Sequence, residues 1–122
     1  MKYETRVKTA NIEDMVGKYI NEVLYTDIRP IGKVIGTRGK TILIVADITV
    51  RREQNWKPKM EIGGFSAVCV NNGSQQWTFE VDETKTKEIR WSKQAMAKGF
   101  MNKRGIIWSC DSEARYYYDY NF

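Results

Sequence analysis

The chain has 122 residues, with 20 Lys and Arg against 15 Asp and Glu, two Cys and no His. Domains of roughly 100–150 residues are common, so the sequence predicts a single domain over residues 1–122. Without His, the chain lacks Ser-His-Asp and Cys-His nucleophile pairs and His-based zinc sites. The sequence therefore argues against an enzyme and predicts neither a metal nor a cofactor.

The net charge of +5 favours anionic partners. Seven basic residues and one acid, Glu88, lie in a basic segment, residues 85–104. Such a segment is compatible with a solvated face, a phosphate-binding groove or a nucleic-acid surface.

Two isolated cysteines, Cys69 and Cys110, favour buried thiols over a disulfide. No apolar run approaches the roughly 20 residues of a membrane span, and the N-terminal residues are too polar for a secretory signal. The sequence predicts a cytoplasmic protein with no membrane partner.

A helix is predicted from residue 11, where Asn11 can cap the first turn. Apolar residues then recur at helical spacing. They are Ile12, Met15, Val16, Tyr19, Ile20 and Val23. This stripe is expected to pack on a sheet of the same chain, with docking against a second copy as the alternative.

Strands are predicted over the later segments. They are 33–36, 41–50, 65–70, 75–81, 89–91, 106–110 and 116–120. Asn71-Asn72-Gly73 predicts a hairpin between two of them. Residues 92–98 are compatible with a short helix capped by Ser92 and stopped by Gly99, or with a loop. The predicted fold class is α+β, with an N-terminal amphipathic helix packed on a mainly antiparallel β-sheet.

Several short segments resemble a family of small phage and prophage proteins, over roughly residues 17–122. They are Tyr25-Thr26-Asp27, Gly39-Lys40-Thr41 leading to Asp47, Gly63-Gly64-Phe65 with Cys69 and Asn71, Gln76 to Glu80 around Trp77, and Tyr118-Asp119-Tyr120-Asn121-Phe122. The family has Tyr-Ser-Asp, Gly-Gly-Phe with His-Cys, Gln-x-Trp and Tyr-Asp-Tyr-Asn-Phe boxes. Here Val68 replaces the His before Cys, and Ile28-Arg29 replaces Arg-His. These departures favour a binder over an enzyme.

The chain is also similar in size and charge to anti-Thoeris sponge proteins, which sequester cyclic ADP-ribose isomers and, in some cases, cyclic oligonucleotides. The resemblance implies a non-catalytic phage protein that binds a nucleotide immune signal and blocks host anti-phage defence. A homo-oligomer is expected. The alternatives are a nucleic-acid-binding protein using the basic segment, and an inhibitor of a host protein using the tyrosine-rich tail.

Eight residues are predicted to bind the ligand. Arg51, Arg52, Arg90 and Arg115 are expected to bind phosphates, Phe65 or Trp77 to stack on a base, and Asn71 and Gln76 to read its polar edges. Core packing is the competing interpretation for both aromatic residues.

Overall fold

The described part of the chain is mainly antiparallel β-structure, dominated by one six-stranded sheet. The computed structural model describes residues 6–52, 56–63 and 66–120. Within these ranges the strands are β1 (Tyr19–Leu24), β2 (Asp27–Arg38), β3 (Ile42–Arg52), β4 (Met60–Gly63), β5 (Ser66–Cys69), β6 (Trp77–Arg90), β7 (Phe100–Lys103) and β8 (Ile106–Asp111). Six of these form a sheet in the order β6-β3-β2-β1-β8-β7, while β4 and β5 pair separately.

The helix predicted from residue 11 is wrong, and with it the α+β class of a helix packed on a sheet. Ile12–Met15 is a single 3₁₀ turn, and the chain continues as β1. Gly17 ends the turn with a left-handed φ of 91°, and its N–H donates to the Val34 carbonyl at 2.8 Å. The Asn11 side chain forms no cap hydrogen bond. The apolar stripe divides accordingly, since Ile20 is buried in β1 whereas Val16 is exposed.

Two short helical segments, one before β1 and one between β6 and β7, complete the core. The 3₁₀ turn contributes Ile12 and Met15, and the helix α1 (Lys93–Lys98) contributes Ala95 and Met96. Residues of the strands, together with Trp91, supply the rest of the buried cluster. These residues are Ile20, Val34, Leu43, Val45, Ile89 and Cys110, with Trp91 just after β6.

The helix predicted after residue 91 is confirmed. The Ser92 hydroxyl accepts a hydrogen bond from the Ala95 N–H at 3.1 Å, and Gly99 ends α1 with a φ of 79°. A polar acceptor at the first position and a left-handed glycine after the last are the expected helix boundaries. The strands predicted at 33–36 and 41–50 are also confirmed as parts of β2 and β3.

The hairpin predicted around Asn71-Asn72-Gly73 is wrong. Asn72–Ser74 forms a 3₁₀ turn, β5 pairs with β4, and β6 pairs with β3. The loop therefore connects two different sheets, and the strands on either side of it do not pair with each other. The tail strand predicted at 116–120 reduces to one bridge, between Tyr117 and Ile28.

β6 is a long outer strand with an interruption. Its pairing with β3 jumps from Asp47↔Asp82 to Ala46↔Thr86, so residues 83–85 have no partner on β3. The Asp82 carboxylate accepts hydrogen bonds from Thr84 N at 3.0 Å and from its hydroxyl, which closes a local turn and lowers the pKa of Asp82.

A polar cluster is buried where β1 pairs with β8. Asn21 is fully buried and its Nδ2 donates to the Asp111 carboxylate at 2.8 Å and to the Glu113 carbonyl at 3.0 Å. Asn21 Oδ1 accepts from the Arg115 N–H at 3.0 Å, and the Ser109 hydroxyl donates to Asp111 at 2.7 Å. The cluster therefore fixes the point from which the tail leaves the sheet.

The two cysteines are buried thiols, as the sequence predicts. Burial raises the pKa of the Cys110 thiol to about 12, with Asp111 adding to the rise and Lys18 opposing it. Since the thiolate is the reactive form, Cys110 should be inert near neutral pH. Within the described residues, no helix is long and apolar enough to cross a membrane.

In a Cys69→Ala variant, Cys110 is the chain's remaining cysteine. We expect it to react with a disulfide reagent at least roughly a hundredfold more slowly in the folded protein than in urea, because reaction requires the core to open. An unfolded thiol ionises near pH 8.5, so this group should also reduce the free energy of unfolding as pH rises from about 8.5 toward 12. Equal reaction rates in buffer and urea would contradict the burial of this thiol.

Candidate ligand-binding site

Several of the segments that resemble the phage family meet at one end of the molecule. Arg52 ends β3 directly opposite Trp77, the first residue of β6. The tail reaches the same place because Tyr117 pairs with Ile28 through two backbone hydrogen bonds of 2.8 and 2.9 Å. We call this site the aromatic corner. It comprises Arg52, Trp56, Trp77, Tyr116, Tyr118 and Tyr120.

The rings of the aromatic corner form a continuous cluster. The Trp56 centroid lies 6.2 Å from that of Trp77 and 5.8 Å from that of Tyr120. Trp77 lies 4.3 Å from Tyr116, and Tyr118 meets Tyr120 edge-on at 4.8 Å. Tilted and edge contacts at these distances are favourable for aromatic pairs. Trp56 is 6% exposed whereas Tyr118 is 46% exposed, so the cluster has a buried base and an open surface.

Arg52 lies beside both indoles. Its guanidinium carbon is 5.9 Å from the Trp56 ring centroid and 6.0 Å from that of Trp77, within cation–π range. Its Nη2 donates to the Tyr120 hydroxyl at 2.9 Å. Among the described residues, no carboxylate lies within ion-pair distance of Arg52. The corner therefore holds an exposed cation that is hydrogen-bonded to the Tyr120 phenol.

Gln75 connects the start of β6 to the tail. Its Oε1 accepts from the Trp77 indole N–H at 3.0 Å and from the Tyr118 backbone N–H at 3.0 Å. Its Nε2 donates to the Tyr118 carbonyl and to Asn72 Oδ1. These bonds fix the orientation of the Trp77 ring.

Asn72 and Asp27 hold the rest of the tail. Asn72 Nδ2 donates to the Asp119 carboxylate at 2.8 Å, and its Oδ1 accepts from the Tyr120 N–H at 3.3 Å. The Asp27 carboxylate accepts from the Asp119 N–H at 2.9 Å. Sequence reasoning missed Gln75 and Asn72 because their partners in the tail are more than 40 residues away along the chain.

Asn71 holds the segment before β4. Its Oδ1 accepts from the Lys59 N–H at 2.7 Å and from the Cys69 thiol at 3.3 Å, while its Nδ2 donates to the Lys57 carbonyl at 2.7 Å. Both polar atoms of the Asn71 side chain are therefore engaged in hydrogen bonds within the protein. Gln76, beside Trp77, is exposed and better placed to contact a ligand.

Two phenols of the tail, those of Tyr116 and Tyr117, have raised pKa values. Burial is the largest cause that raises the pKa of Tyr116 above its ordinary value, and nearby Tyr120 and Asp27 add to it. Burial also raises the pKa of Tyr117, with a further contribution from Asp119. A raised pKa favours the neutral phenol, so Tyr116 contributes a ring and a neutral hydroxyl to the aromatic corner.

The other predicted residues lie elsewhere. Arg51 points away from Arg52, faces Glu80 at 3.7 Å and lines an open cleft of about 590 Å³. Arg90 lines a cavity at the far end of β6, and Arg115 follows the buried polar cluster, where its N–H binds Asn21. Phe65 lies outside the described residues. The structure thus brings together Arg52 and Trp77, with Asn71 and Gln76 adjacent, and separates the other three arginines.

The basic segment 85–104 is distributed over several surfaces. Lys85 and Lys87 line a cleft of about 300 Å³, and Lys87 lies 3.8 Å from the Asp47 carboxylate. Arg90 and Lys103 line the cavity at the end of β6. Lys93 lines a third pocket, on the 3₁₀ turn side. The nucleic-acid surface predicted from this segment stays a prediction.

Comparison with known proteins found no matching protein-family model, no matching curated protein and no matching solved structure. The resemblance to small phage proteins therefore remains a prediction from the sequence.

Proposed function

We propose that the protein is a non-catalytic binder that sequesters a small nucleotide at the aromatic corner. The observation that carries this proposal is the position of Arg52, beside two indole rings and hydrogen-bonded to a phenol. A nucleotide combines a planar base with an anionic phosphate. Ring faces beside a guanidinium that has no carboxylate partner among the described residues match both parts.

Arg52 is the proposed phosphate contact. A charge-assisted bond between guanidinium and phosphate is roughly twice as strong as a bond between neutral groups, and the arginine fork can engage two phosphate oxygens at once. A phosphate is therefore expected to take over the position of the Tyr120 hydroxyl. The tyrosine ring can remain against Trp56 while the guanidinium changes partner.

Trp77 and Tyr118 are the proposed stacking surfaces. Trp77 is half-buried with its indole N–H held by Gln75, so it is fixed before a ligand arrives. A rigid aromatic platform loses little conformational entropy on binding. Gln76 is exposed next to this platform and can hydrogen-bond to a base edge.

The biological setting of the proposal rests on the resemblance to small phage proteins. In that setting the ligand is a cyclic ADP-ribose isomer or a cyclic oligonucleotide, and its removal blocks a host anti-phage defence. The absence of His from the sequence supports sequestration over turnover. A homo-oligomer in the host cytoplasm remains part of the proposal.

Calorimetric titration with cyclic ADP-ribose isomers and cyclic di- and trinucleotides tests this function. We expect saturable binding by the unaltered chain and a loss of roughly tenfold or more in affinity for Arg52→Gln, since one charge-assisted contact contributes about 1.5–3 kcal/mol. Arg51→Gln is the matched control, because it removes the same charge one residue away on the opposite face, and its affinity should change less than about twofold.

No heat with any of these nucleotides, or equal losses in the two arginine variants, would overturn the proposal. Recovery of intact ligand after heat denaturation of the complex should separate sequestration from cleavage.

A further inference from the structure

A second cavity lies between the two outer strands of the sheet. It has a volume of about 400 Å³ and is lined by residues 88–90 of β6, Ser92, residues 101–103 of β7, and Trp108 of β8. We call it the edge cavity. Because β6 and β7 are at opposite ends of the strand order, the sheet must curve until its edges face each other across this space. The volume lies within the range of small-molecule sites.

The floor of the edge cavity is apolar and joined to the core. Ile89 is a core residue with 7% exposure, and Met101 and Trp108 pack against the core cluster. A flat indole beside two aliphatic side chains suits a planar apolar group.

A buried carboxylate fixes the orientation of Trp108. The indole N–H donates to Glu22 Oε2 at 2.8 Å, and Glu22 is 6% exposed. The other carboxylate oxygen, Oε1, accepts from Arg29 Nε at 2.7 Å. With both oxygens of Glu22 engaged, the ring cannot turn without breaking a buried charge-assisted hydrogen bond. The aromatic floor is therefore formed before any ligand binds.

The rim of the edge cavity carries two cations. Arg90 and Lys103 both line it, and the Lys103 ammonium lies 5.3 Å from the Trp108 ring centroid. In the described parts of the chain, no carboxylate lies within ion-pair distance of either residue. The acid that lines the cavity, Glu88, is committed to Arg38 through two hydrogen bonds of 2.7 and 2.8 Å. Among the described residues, the two rim cations Arg90 and Lys103 therefore have no ion-pair partner.

We propose that the edge cavity binds a small aromatic anion, with its ring against Trp108 and its carboxylate or phosphate between Arg90 and Lys103. The two requirements are set by different residues, since the apolar floor selects the ring and the rim selects the negative charge. This site is separate from the aromatic corner, so it does not depend on the function proposed there.

The test uses 2-naphthoate and 2-naphthyl phosphate as probes, with neutral 2-naphthol and inorganic phosphate as comparisons. In a ¹H–¹⁵N spectrum of the full chain, we expect both anionic probes to shift the Trp108 indole N–H signal saturably. Neutral naphthol and inorganic phosphate should each bind at least roughly tenfold more weakly, because each lacks one of the two contacts. Naphthoate and naphthyl phosphate together show which anionic group the rim prefers.

An Arg90→Gln/Lys103→Gln variant keeps the apolar floor and changes only exposed side chains, so it should fold. We expect it to lose roughly tenfold or more in affinity for 2-naphthoate. A Lys93→Gln/Lys98→Gln variant, which removes the same charge from α1 outside the cavity, is the matched control and should retain affinity. A Trp108→Phe variant should weaken the ring contact and also remove the bond to Glu22.

Three results would overturn the proposal. They are no saturable shift with either anionic probe, equal losses in the two double variants, and shifts at the Trp56 and Trp77 indoles in place of Trp108. The last result would assign the probe to the aromatic corner. Conversely, Arg52→Gln should leave 2-naphthoate binding unchanged, so failure at one site is distinguishable from failure at the other.

Discussion

A Gly32→Ala variant is expected to lose about 3 kcal/mol of its free energy of unfolding, since overpacking of a tight interior costs this much. A Cβ at position 32 would lie 2.2 Å from Val45 Cγ1 and 2.5 Å from the Ala46 carbonyl oxygen. Both atoms belong to β3, which is paired on both sides. The Val45 side chain can rotate, but the carbonyl is part of the backbone and can move only if the sheet shifts.

Gly36→Ala is the control in the same strand. A Cβ there would meet only side-chain atoms of Ile44, at 3.7 and 3.8 Å, which is ordinary contact. We expect a change within about 1 kcal/mol, and a gain is possible because alanine restricts the unfolded chain. Urea denaturation followed by tryptophan fluorescence measures both variants. Similar midpoints for Gly32→Ala and the unaltered chain would show that the sheet accommodates the methyl group.

The second large effect is expected at Asn21. Its replacement by alanine removes three hydrogen bonds and leaves the buried Asp111 carboxylate with one fewer donor. Loss of a buried hydrogen-bonded group of this kind should reduce the free energy of unfolding by about 3 kcal/mol. The Arg115 N–H also loses its acceptor, so the tail should loosen where it leaves the sheet.

Hydrogen exchange at the Tyr117 amide measures this expected loosening of the tail. This N–H donates to the Ile28 carbonyl at 2.8 Å, and we expect it to exchange faster in Asn21→Ala than the loss of global stability alone predicts. Asn11→Ala is the control, because the exposed Asn11 side chain caps nothing and its removal should change stability by less than about 0.5 kcal/mol. Equal destabilisation by the two substitutions would argue against a specific role for Asn21.

Local sequence signals predicted the parts of the fold that local forces determine. Alternating apolar residues marked β3, the prediction over residues 33–36 covered part of β2, and a serine cap with a terminal glycine marked α1. The helix at residue 11 failed because Ile12, Met15 and Ile20 can be buried either by a helix or by a turn followed by a strand. The left-handed backbone of Gly17 favours the turn over the helix. Its N–H is hydrogen-bonded to the Val34 carbonyl, a residue too distant in the chain to enter a prediction from local sequence.

The candidate site was predictable to a smaller extent. Composition drew attention to arginines near aromatic residues, but neighbouring Arg51 and Arg52 face opposite sides of β3, and of these two Arg52 is the one that lies beside Trp56 and Trp77. The floor of the edge cavity depends on a hydrogen bond between Trp108 and Glu22, which are 86 residues apart. Contacts at such separation follow from the strand order, so they could not be read from the sequence alone.

The interruption in β6 bears on how the protein behaves at high concentration. An outer strand of 14 residues would otherwise offer a long row of backbone donors and acceptors to a second chain. Residues 83–85 bulge out of register, and Lys85 and Lys87 place charge on the same stretch. A strand of another molecule could therefore pair with β6 over only a few residues on either side of the bulge. Such short pairing disfavours edge-to-edge aggregation.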